Sequence, residues 1–600
     1  MADRTVLDLY RHDVESPRPE HYAHWTPKGC RVLSTEEFFN RTAAFADALA
    51  SLGVGPGDRV LLLSDDRPEW HQVDLATLDI GAVDVPVYTT LTADQIAYQA
   101  IDSGAKVAVF ETGDQMETLL EVRDRCPDLE HLIQIEGDRA HGVLSFNELS
   151  GTSGGDVEAR FWDRAAAIDP GRLMTIIYTS GTTGEPKGVM LSHDNLVQNV
   201  LFTFVRLPAT RDDLVLEFLP LCHVAERMAG YSYMLNAVSK AYCAVADAAG
   251  LIAKIRPTMF FAVPRVYEKV YGRVHETVAS SSSVKRTLFE WAIGVGRAAS
   301  DRRLIGEPVG GLLALRLALA DRVVLAKIRD RLGGRLRFCI TGAAETPGFV
   351  FDFFRAIGIP MVEAYGLTEC SPCIAIGGLG RDQLRPGWIG RALDNLEVRL
   401  DDDGELLVRG PCVMLGYWNK PAETAEAIDD DGFLRTGDIA EIDGDGFVRI
   451  IDRKKDLIVT AGGKNVAPQP IESRLKRAPL VDAAVLIGDR RPYVTALLAP
   501  DLEECRRVAE GLGIDAEDGV LPEHAGVVAA FQKTVDEVNA SLARFEQIRR
   551  FRVLPGPLSI EAGHLTPTLK VKRRVVETQF AELIETMYRT GSPGAGGPVS

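Results

Sequence analysis

Hydrophobic positions in the first 200 residues come in short runs, and helical spacing separates them. RVLLLS (59–64), VDVPVY (83–88), KVAVF (106–110), HLIQI (131–135) and LMTIIYTS (173–180) read as buried strands. Residues 68–79 and HDNLVQNVLFTF (193–204) read as helices between and after them. Near-continuous apolar runs alternating with helices predict an α/β fold with a largely parallel sheet, covered on both faces.

Two later stretches have other textures. FEWAIGVGRAASDRRL and LALRLALADRVVLAKIRDRL repeat apolar residues at helical spacing, which predicts a helical insertion over about 270–337. From about residue 385, short strands and turns dominate, as in LEVRLDDDGELLVRG and GFLRTGDIAEIDGDGFVRIIDRKKD. DLIVTAGGKNVAP (456–468) opens a new strand–turn–helix pattern, and VDAAVLIGDRRPYVTALLAP (481–500) reads as two strands around an RRP turn. A 600-residue chain exceeds one core. The expected organisation is a large N-terminal domain of α/β sheets with a β-rich subdomain (1–452) and a small α+β C-terminal domain (453–590). The Gly/Pro-rich tail 591–600 reads as disordered. No internal repeat is visible.

Charge narrows the function classes. Lys+Arg minus Asp+Glu is 67 − 85 = −18, which disfavours a general nucleic-acid surface and requires a locally positive cleft for any small anion. Residues 284–337 invert that sign, with twelve basic and five acidic side chains. They form either a solvated helical face or a patch for an anionic membrane surface or ligand. The first residues carry no apolar signal core and no run of about 18 apolar residues occurs, so a cytoplasmic protein is expected. The nine scattered cysteines fit reduced thiols. Cys370 and Cys373 spell C-S-P-C, but without a second pair at metal spacing they read as packing residues. GVGRAA (294–299) echoes a dinucleotide fingerprint but follows no strand.

The chemistry concentrates in YTSGTTGEPKGVMLSHDN (178–195). Ten residues from Thr179 to Gly188 hold four hydroxyls, three glycines and Lys187. Glycines let amide N–H groups approach an oxyanion, hydroxyls add donors and the lysine adds charge. The spacing is not that of a Walker A loop, so this is a phosphate loop of another kind.

This stretch resembles the signature of the adenylate-forming superfamily: acyl-CoA synthetases, luciferases and peptide-synthetase adenylation domains. LPLCHVAER (219–227), ITGAAE (340–345), AYGLTE (364–369), LRTGDIA (434–440), DRKKDLIVTAGGKNVAP (452–468) and LTPTLKVKRR (565–574) resemble its further signatures in order, spanning about 35–575. HVAER, DRKKDLIVTAGGKNVAPQPIE, LTPTLKVKRR and the helical insertion make the likeness strongest to long-chain fatty acyl-CoA synthetases.

The resemblance implies a two-step ligase with ATP and coenzyme A as co-substrates, Mg2+ as cofactor and a mobile C-terminal domain. It gives Thr179, Ser180, Gly181, Thr182, Thr183, Gly184 and Lys187 to the β- and γ-phosphates, Thr368 to the α-phosphate and Glu369 to Mg2+. Tyr365, Gly342, Ala343 and Ala344 would enclose adenine, with Asp438 and Arg453 on the ribose. His223 would lie beside the substrate carboxylate. Lys570 would be the catalytic lysine, although Leu569 stands where most relatives have glycine and Lys572 follows two residues on. Lys455 would be the hinge, and Gly462 would border the coenzyme A path. An acyl tunnel would pass near 231–235, 338–340 and 370–376, where each buried methylene contributes about 0.8 kcal/mol. Rival readings are an acyl-AMP ligase serving a carrier protein, a ligase for medium-chain or aromatic acids, and a non-catalytic lipid-binding scaffold. The sequence is silent on oligomeric state.

Overall fold

The computed structural model describes residues 4–151, 156–179, 185–380, 383–514, 521–559, 562–566 and 571–589. The predicted first strands form at Arg59–Leu63, Val83–Val87, Ala105–Phe110, His131–Gln134 and Leu173–Thr179. They pair in parallel in the order Leu173–Thr179, Val83–Val87, Arg59–Leu63, Ala105–Phe110, His131–Gln134, within an eight-stranded sheet. Beyond Leu173–Thr179 the chain turns back as the antiparallel strand Lys187–Ser192, and Gly416–Tyr417 closes that edge.

The helices also fall where the spacing puts them. Pro68–Asp79 starts with proline in its first turn, where the missing N–H costs no helical bond. His193–Phe204 starts at a capping box: Ser192 Oγ accepts the Asn195 N–H at 3.1 Å, and Asn195 Oδ1 accepts the Ser192 N–H at 2.9 Å. The Asn195 Nδ2 also reaches the Pro411 and Val413 carbonyls, tying this helix to the β-rich region.

A second sheet of thirteen strands joins the two textures. Its parallel part runs Met361–Gly366, Phe338–Thr341, Met259–Ala262, Leu214–Glu217, Ser239–Tyr242, Tyr22–Thr26. At Met361–Gly366 the pairing changes to antiparallel and continues through Cys373–Ile376, Gly390–Ala392, Phe447–Arg453, Leu434–Ile442, Glu405–Arg409 and Glu397–Leu400. Gly366 makes this seam tight: a Cβ there would lie 1.8 Å from the Pro372 carbonyl oxygen.

Cys370 and Cys373 are buried free thiols in that return, as packing predicts. Asn199 Nδ2 bonds both of their carbonyls, at 3.1 and 2.8 Å.

The insertion is helical: Pro264–Ala279, Ser283–Leu304, Gly311–Ala320 and Ala326–Arg331, with a π-turn at Asp321–Leu325. GVGRAA lies in the middle of Ser283–Leu304, which excludes the nucleotide reading. Gly296 is there for packing, since its Cβ would meet the Ala356 carbonyl oxygen at 2.0 Å. Among the described residues no helix is long and apolar enough to cross a membrane.

The C-terminal part has its own core around strands Val481–Ile487, Val494–Pro500 and Ile548–Val553 and helices Pro468–Leu475, Leu502–Leu512 and Ala525–Asn539. The two predicted strands around the RRP turn are the first two of these. The tail 591–600 lies outside the described residues.

Candidate active site

The carboxyl ends of the parallel strands carry Thr179, residues 342–344, Tyr365, Thr368 and Glu369, the place where open α/β sheets bind ligands, whereas Lys187, Asp438 and Arg453 lie on antiparallel strands. Leu173–Thr179 leads into the stretch expected to hold phosphate. Thr179 and Lys187 are paired across the antiparallel ladder and so close the loop at its base. Ser180, Gly181, Thr182, Thr183, Gly184 and Lys570 lie outside the described residues.

Lys187 Nζ stands 4.9 Å from the Tyr417 ring centroid, a favourable place for an ammonium. The Tyr417 hydroxyl donates to Glu369 Oε1 at 2.9 Å, and the Met414 N–H bonds the Glu369 carbonyl at 2.9 Å. Burial first, and then the Glu369 charge, raises the Tyr417 pKa, so its proton stays on the phenol. The other Glu369 oxygen engages no described residue. A carboxylate with one oxygen that engages no described residue, beside a lysine, suits a hard divalent cation. Thr368 begins the short 3-10 turn Thr368–Cys370 that presents Glu369.

A second cluster stands across the seam. Tyr365 donates its hydroxyl to Asp438 Oδ2 at 2.5 Å, and Arg453 Nε lies 2.8 Å from Asp438 Oδ1. Asp438 and Arg453 are direct partners in the ladder between Leu434–Ile442 and Phe447–Arg453. Behind them, Glu405 accepts the Gly437 N–H at 2.9 Å and holds Lys454 Nζ at 2.8 Å. The carboxylates of Asp401, Asp403 and Glu405 converge as a metal site would. Lys454 and Arg435 already neutralise them, so they buttress the Asp438 turn.

Gly342, Ala343 and Ala344 follow the end of Phe338–Thr341. A Cβ on Gly342 would press on the Ala364 carbonyl oxygen at 3.0 Å. Ala343 has φ +68°, a left-handed conformation costing about 1–2 kcal/mol for a residue with a Cβ. Beneath this loop, burial pushes the Glu363 carboxyl up to about 7, against the Thr346 N–H bond at 3.2 Å that favours its ionised form. His223 is half-buried and caps the helix Val224–Leu235, its Nδ1 accepting the Ala225 N–H at 3.2 Å.

The segments expected to line an acyl tunnel supply core residues. Phe338, Ile340, Ile374, Ala375 and Ile376 are buried together in the main core. Tyr231 is fully buried in a polar knot: its hydroxyl donates to Asp74 at 2.6 Å and accepts from Arg227 Nε at 2.7 Å. Arg227 also reaches Asp84 at 3.0 Å and Thr175 Oγ1 at 2.7 Å. This knot ties the His223 helix to the strand Leu173–Thr179.

Lys455 follows Phe447–Arg453, and burial lowers its pKa, as does Arg453 beside it. Gly462 lies in the exposed turn between Ile458–Val459 and Asn465–Val466. The atom nearest to a Cβ there is Thr460 Oγ1 at 4.0 Å, so packing in this arrangement does not demand glycine.

The C-terminal part meets the rest through polar contacts. Arg265 reaches Asp482 at 2.7 Å, Arg507 pairs with Glu276, Ser473 Oγ donates to Glu345 at 3.2 Å, and Asp452 accepts the Gln469 N–H at 2.9 Å.

Comparison with known proteins assigns this arrangement. Residues 12–418 match the AMP-binding enzyme family, and 455–592 match the AMP-binding enzyme C-terminal domain. The chain belongs to the AMP-binding enzyme family. It is 35% identical over 603 residues to the long-chain-fatty-acid–CoA ligase FadD15 of Mycobacterium bovis, covering 98% of this chain and 97% of the relative. It is 41% identical over 475 residues to the putative fatty-acid–CoA ligase fadD11 of Mycobacterium tuberculosis, covering 78% and 82%. Likeness extends to the long-chain-fatty-acid–CoA ligase ACSBG2 of Xenopus laevis, at 30% identity over 94% of this chain and 80% of that one. The fold matches an anthranilate CoA ligase, AuaEII, solved with anthranoyl-AMP: TM-score 0.72, 20% identity, 97% and 98% of the chains covered. The predicted superfamily and fold class therefore hold for this AMP-binding enzyme.

Sequence reasoning missed Tyr417, Glu363 and Arg227. The aromatic pair Tyr417–Trp418 within a polar stretch was a signal for the first. Arg227 was quoted in HVAER without a role. Nothing in the sequence marks Glu363 as partly buried.

Proposed function

We propose that this AMP-binding enzyme is an ATP-dependent long-chain fatty acid–CoA ligase. The observation that carries this is end-to-end likeness to a long-chain-fatty-acid–CoA ligase, 35% identity over 98% of the chain. The two polar clusters flanking the sheet seam support it.

The substrate carboxylate oxygen attacks the α-phosphorus of ATP, and the bond to pyrophosphate breaks. The difficulty is crowded negative charge, so catalysis is mainly positioning and electrostatic stabilisation. Thr179, Lys187 and the loop between them hold the β- and γ-phosphates, and Thr368 contacts the α-phosphate. Glu369, with its free oxygen, would hold Mg2+, which neutralises phosphate charge when bound. Tyr365 presents its face to adenine across from residues 342–344, and Asp438 accepts from the ribose hydroxyls. Lys570 bridges the carboxylate and the α-phosphate. The coenzyme A sulfur then attacks the acyl carbon, AMP leaves and the thiol proton is lost to solvent. Between the steps the C-terminal domain turns about Lys455 and brings Gly462 to the thiol path. His223 shapes the entry as a helix cap. In this reading the protein works in the cytoplasm and its basic insertion faces membrane.

Purified protein given ATP, Mg2+, coenzyme A and a chain-length series of fatty acids should release AMP and form acyl-CoA best with long chains. Acyl-AMP accumulating without thioester would instead establish an acyl-AMP ligase. Absence of any adenylate would refute the ligase reading.

A further inference from the structure

The strand that presents Lys187 has uneven support from its sheet. Lys187–Ser192 runs beside the full strand Leu173–Thr179 on one side. On the other side the pairing with Gly416 and Tyr417 covers only Met190 and Val189. Lys187 lies at the thinly paired end. A cation that must meet a charged ligand at a fixed place needs its backbone held firmly.

The helix Ala93–Ser103 does this. A capping box at Thr92 and Gln95 starts it and the left-handed Gly104 ends it, so its extent is set locally. Tyr98 and Asp102 stand at i and i+4, on one face. The Tyr98 hydroxyl donates to the Pro186 carbonyl at 3.1 Å, which holds the peptide plane leading into Lys187. Asp102 Oδ2 accepts the Tyr178 hydroxyl at 2.6 Å, and Tyr178 is the ladder partner of Gly188. Burial first, and then the bond to Asp102, raises the Tyr178 pKa, so this phenol stays a donor. The Asp102 carbonyl accepts the Trp418 Nε1–H at 2.8 Å, and the Trp418 N–H bonds the Gly188 carbonyl at 2.8 Å. Gly188 is boxed in between them: a Cβ there would lie 2.6 Å from Ile176 Cγ2 and 3.3 Å from both Tyr178 and Trp418. Ile96, Ala97 and Ala100 already give the helix a buried face. The polar tips of Tyr98 and Asp102 are therefore surplus to docking it, and both are spent on the two strands that flank Lys187.

We propose that Tyr98 and Asp102 are positioning residues for ATP, holding Lys187 where the β- and γ-phosphates come without touching the nucleotide themselves. The proposal rests on the ligase reading above. It adds to that reading two residues that lie outside every motif quoted from the sequence.

Tyr365 and Asp438, on the adenosine side, stand on other strands and have no share in this clamp. ATP and AMP therefore separate the two sides of the site. The readout is the dissociation constant of the full chain for each nucleotide, measured by calorimetry with Mg2+. Tyr98→Phe removes one hydroxyl and should weaken ATP about three- to tenfold, the worth of one neutral hydrogen bond, while AMP binds as it does to the parent. Asp102→Ala should have the same selective effect. Asp102→Asn, whose amide oxygen still accepts from Tyr178, should recover most of the loss. Equal weakening of ATP and AMP by Tyr98→Phe would make the contact merely structural and overturns the proposal, as does unchanged ATP affinity. A parent that binds neither nucleotide refutes the ligase reading and the proposal with it, so the two failures are told apart by the parent alone.

Discussion

Tyr417 bridges two charges that the sequence left apart: its hydroxyl holds Glu369 at 2.9 Å while its ring lies 4.9 Å from the Lys187 ammonium. Tyr417→Phe keeps the ring and frees the carboxylate to wander. A hydrogen bond to a charged group is worth about 1.5–3 kcal/mol, so adenylation should slow roughly tenfold or more. The Mg2+ concentration for half-maximal pyrophosphate release should rise as well. An unchanged magnesium dependence would separate Tyr417 from the metal-binding group.

Asp438 receives both Tyr365 and Arg453. Asp438→Asn keeps the shape but gives up the charge. The KM for ATP should rise about 10–100-fold, as expected when a charged hydrogen-bond acceptor is lost, while the KM for fatty acid stays near the parent value. Steady-state titration of each substrate distinguishes this from general damage, which would move both.

The partial reactions should come apart. Lys570→Ala should abolish acyl-AMP formation yet retain thioester synthesis from supplied acyl-AMP. Gly462→Leu should do the opposite, and its fold should be intact because a side chain there meets open space. Equal loss of both half-reactions in either variant rules out the role assigned to that residue.

Glu363 provides a pH test. Burial raises its carboxyl from 4.5 to about 7. An acid with a raised folded value is stabilising below its unfolded value, and that contribution is lost as pH rises toward 7. Between pH 4.5 and 7 the parent should lose about 1–3 kcal/mol from this group, and Glu363→Gln should lose less across the same window. Denaturant midpoints at pH 5 and pH 8 measure the difference, and parallel pH profiles would contradict it.

Arg227 is fully buried between Asp74 and Asp84. Removing one partner of a buried ion pair leaves a stranded charge, so Arg227→Met should cost about 3–5 kcal/mol. Adding Asp74→Asn and Asp84→Asn should restore part of it. A denaturant midpoint unmoved by the single change would mean that the knot is not an electrostatic unit.

Much of this architecture was legible because its signals are local. Strands 59–63 and 173–179 and helices 68–79 and 193–204 follow from apolar period and capping, and GVGRAA was rightly refused a nucleotide role for want of a preceding strand. The ligand motifs were readable as ordered short runs. What the sequence hid is made by long-range pairing. Tyr417 and Glu369 are 48 residues apart, Arg227 and Asp74 153, and periodicity says nothing about either contact. The acyl segments show the same limit: strand residues such as Ile340 and Ile374 are apolar whether they line a tunnel or fill a core. Arg329 looked like free surface charge until Asp321 and the Ile357 carbonyl were seen beside it.

The C-terminal part is fastened to the rest of this enzyme by Arg265–Asp482, Arg507–Glu276 and Ser473–Glu345, all contacts that water or dissolved ions replace readily. The appendage is thus held by a brittle, electrolyte-soluble glue, whereas each body keeps its own greasy interior throughout. The proposed turn of the C-terminal part would therefore demand no dismantling of either one.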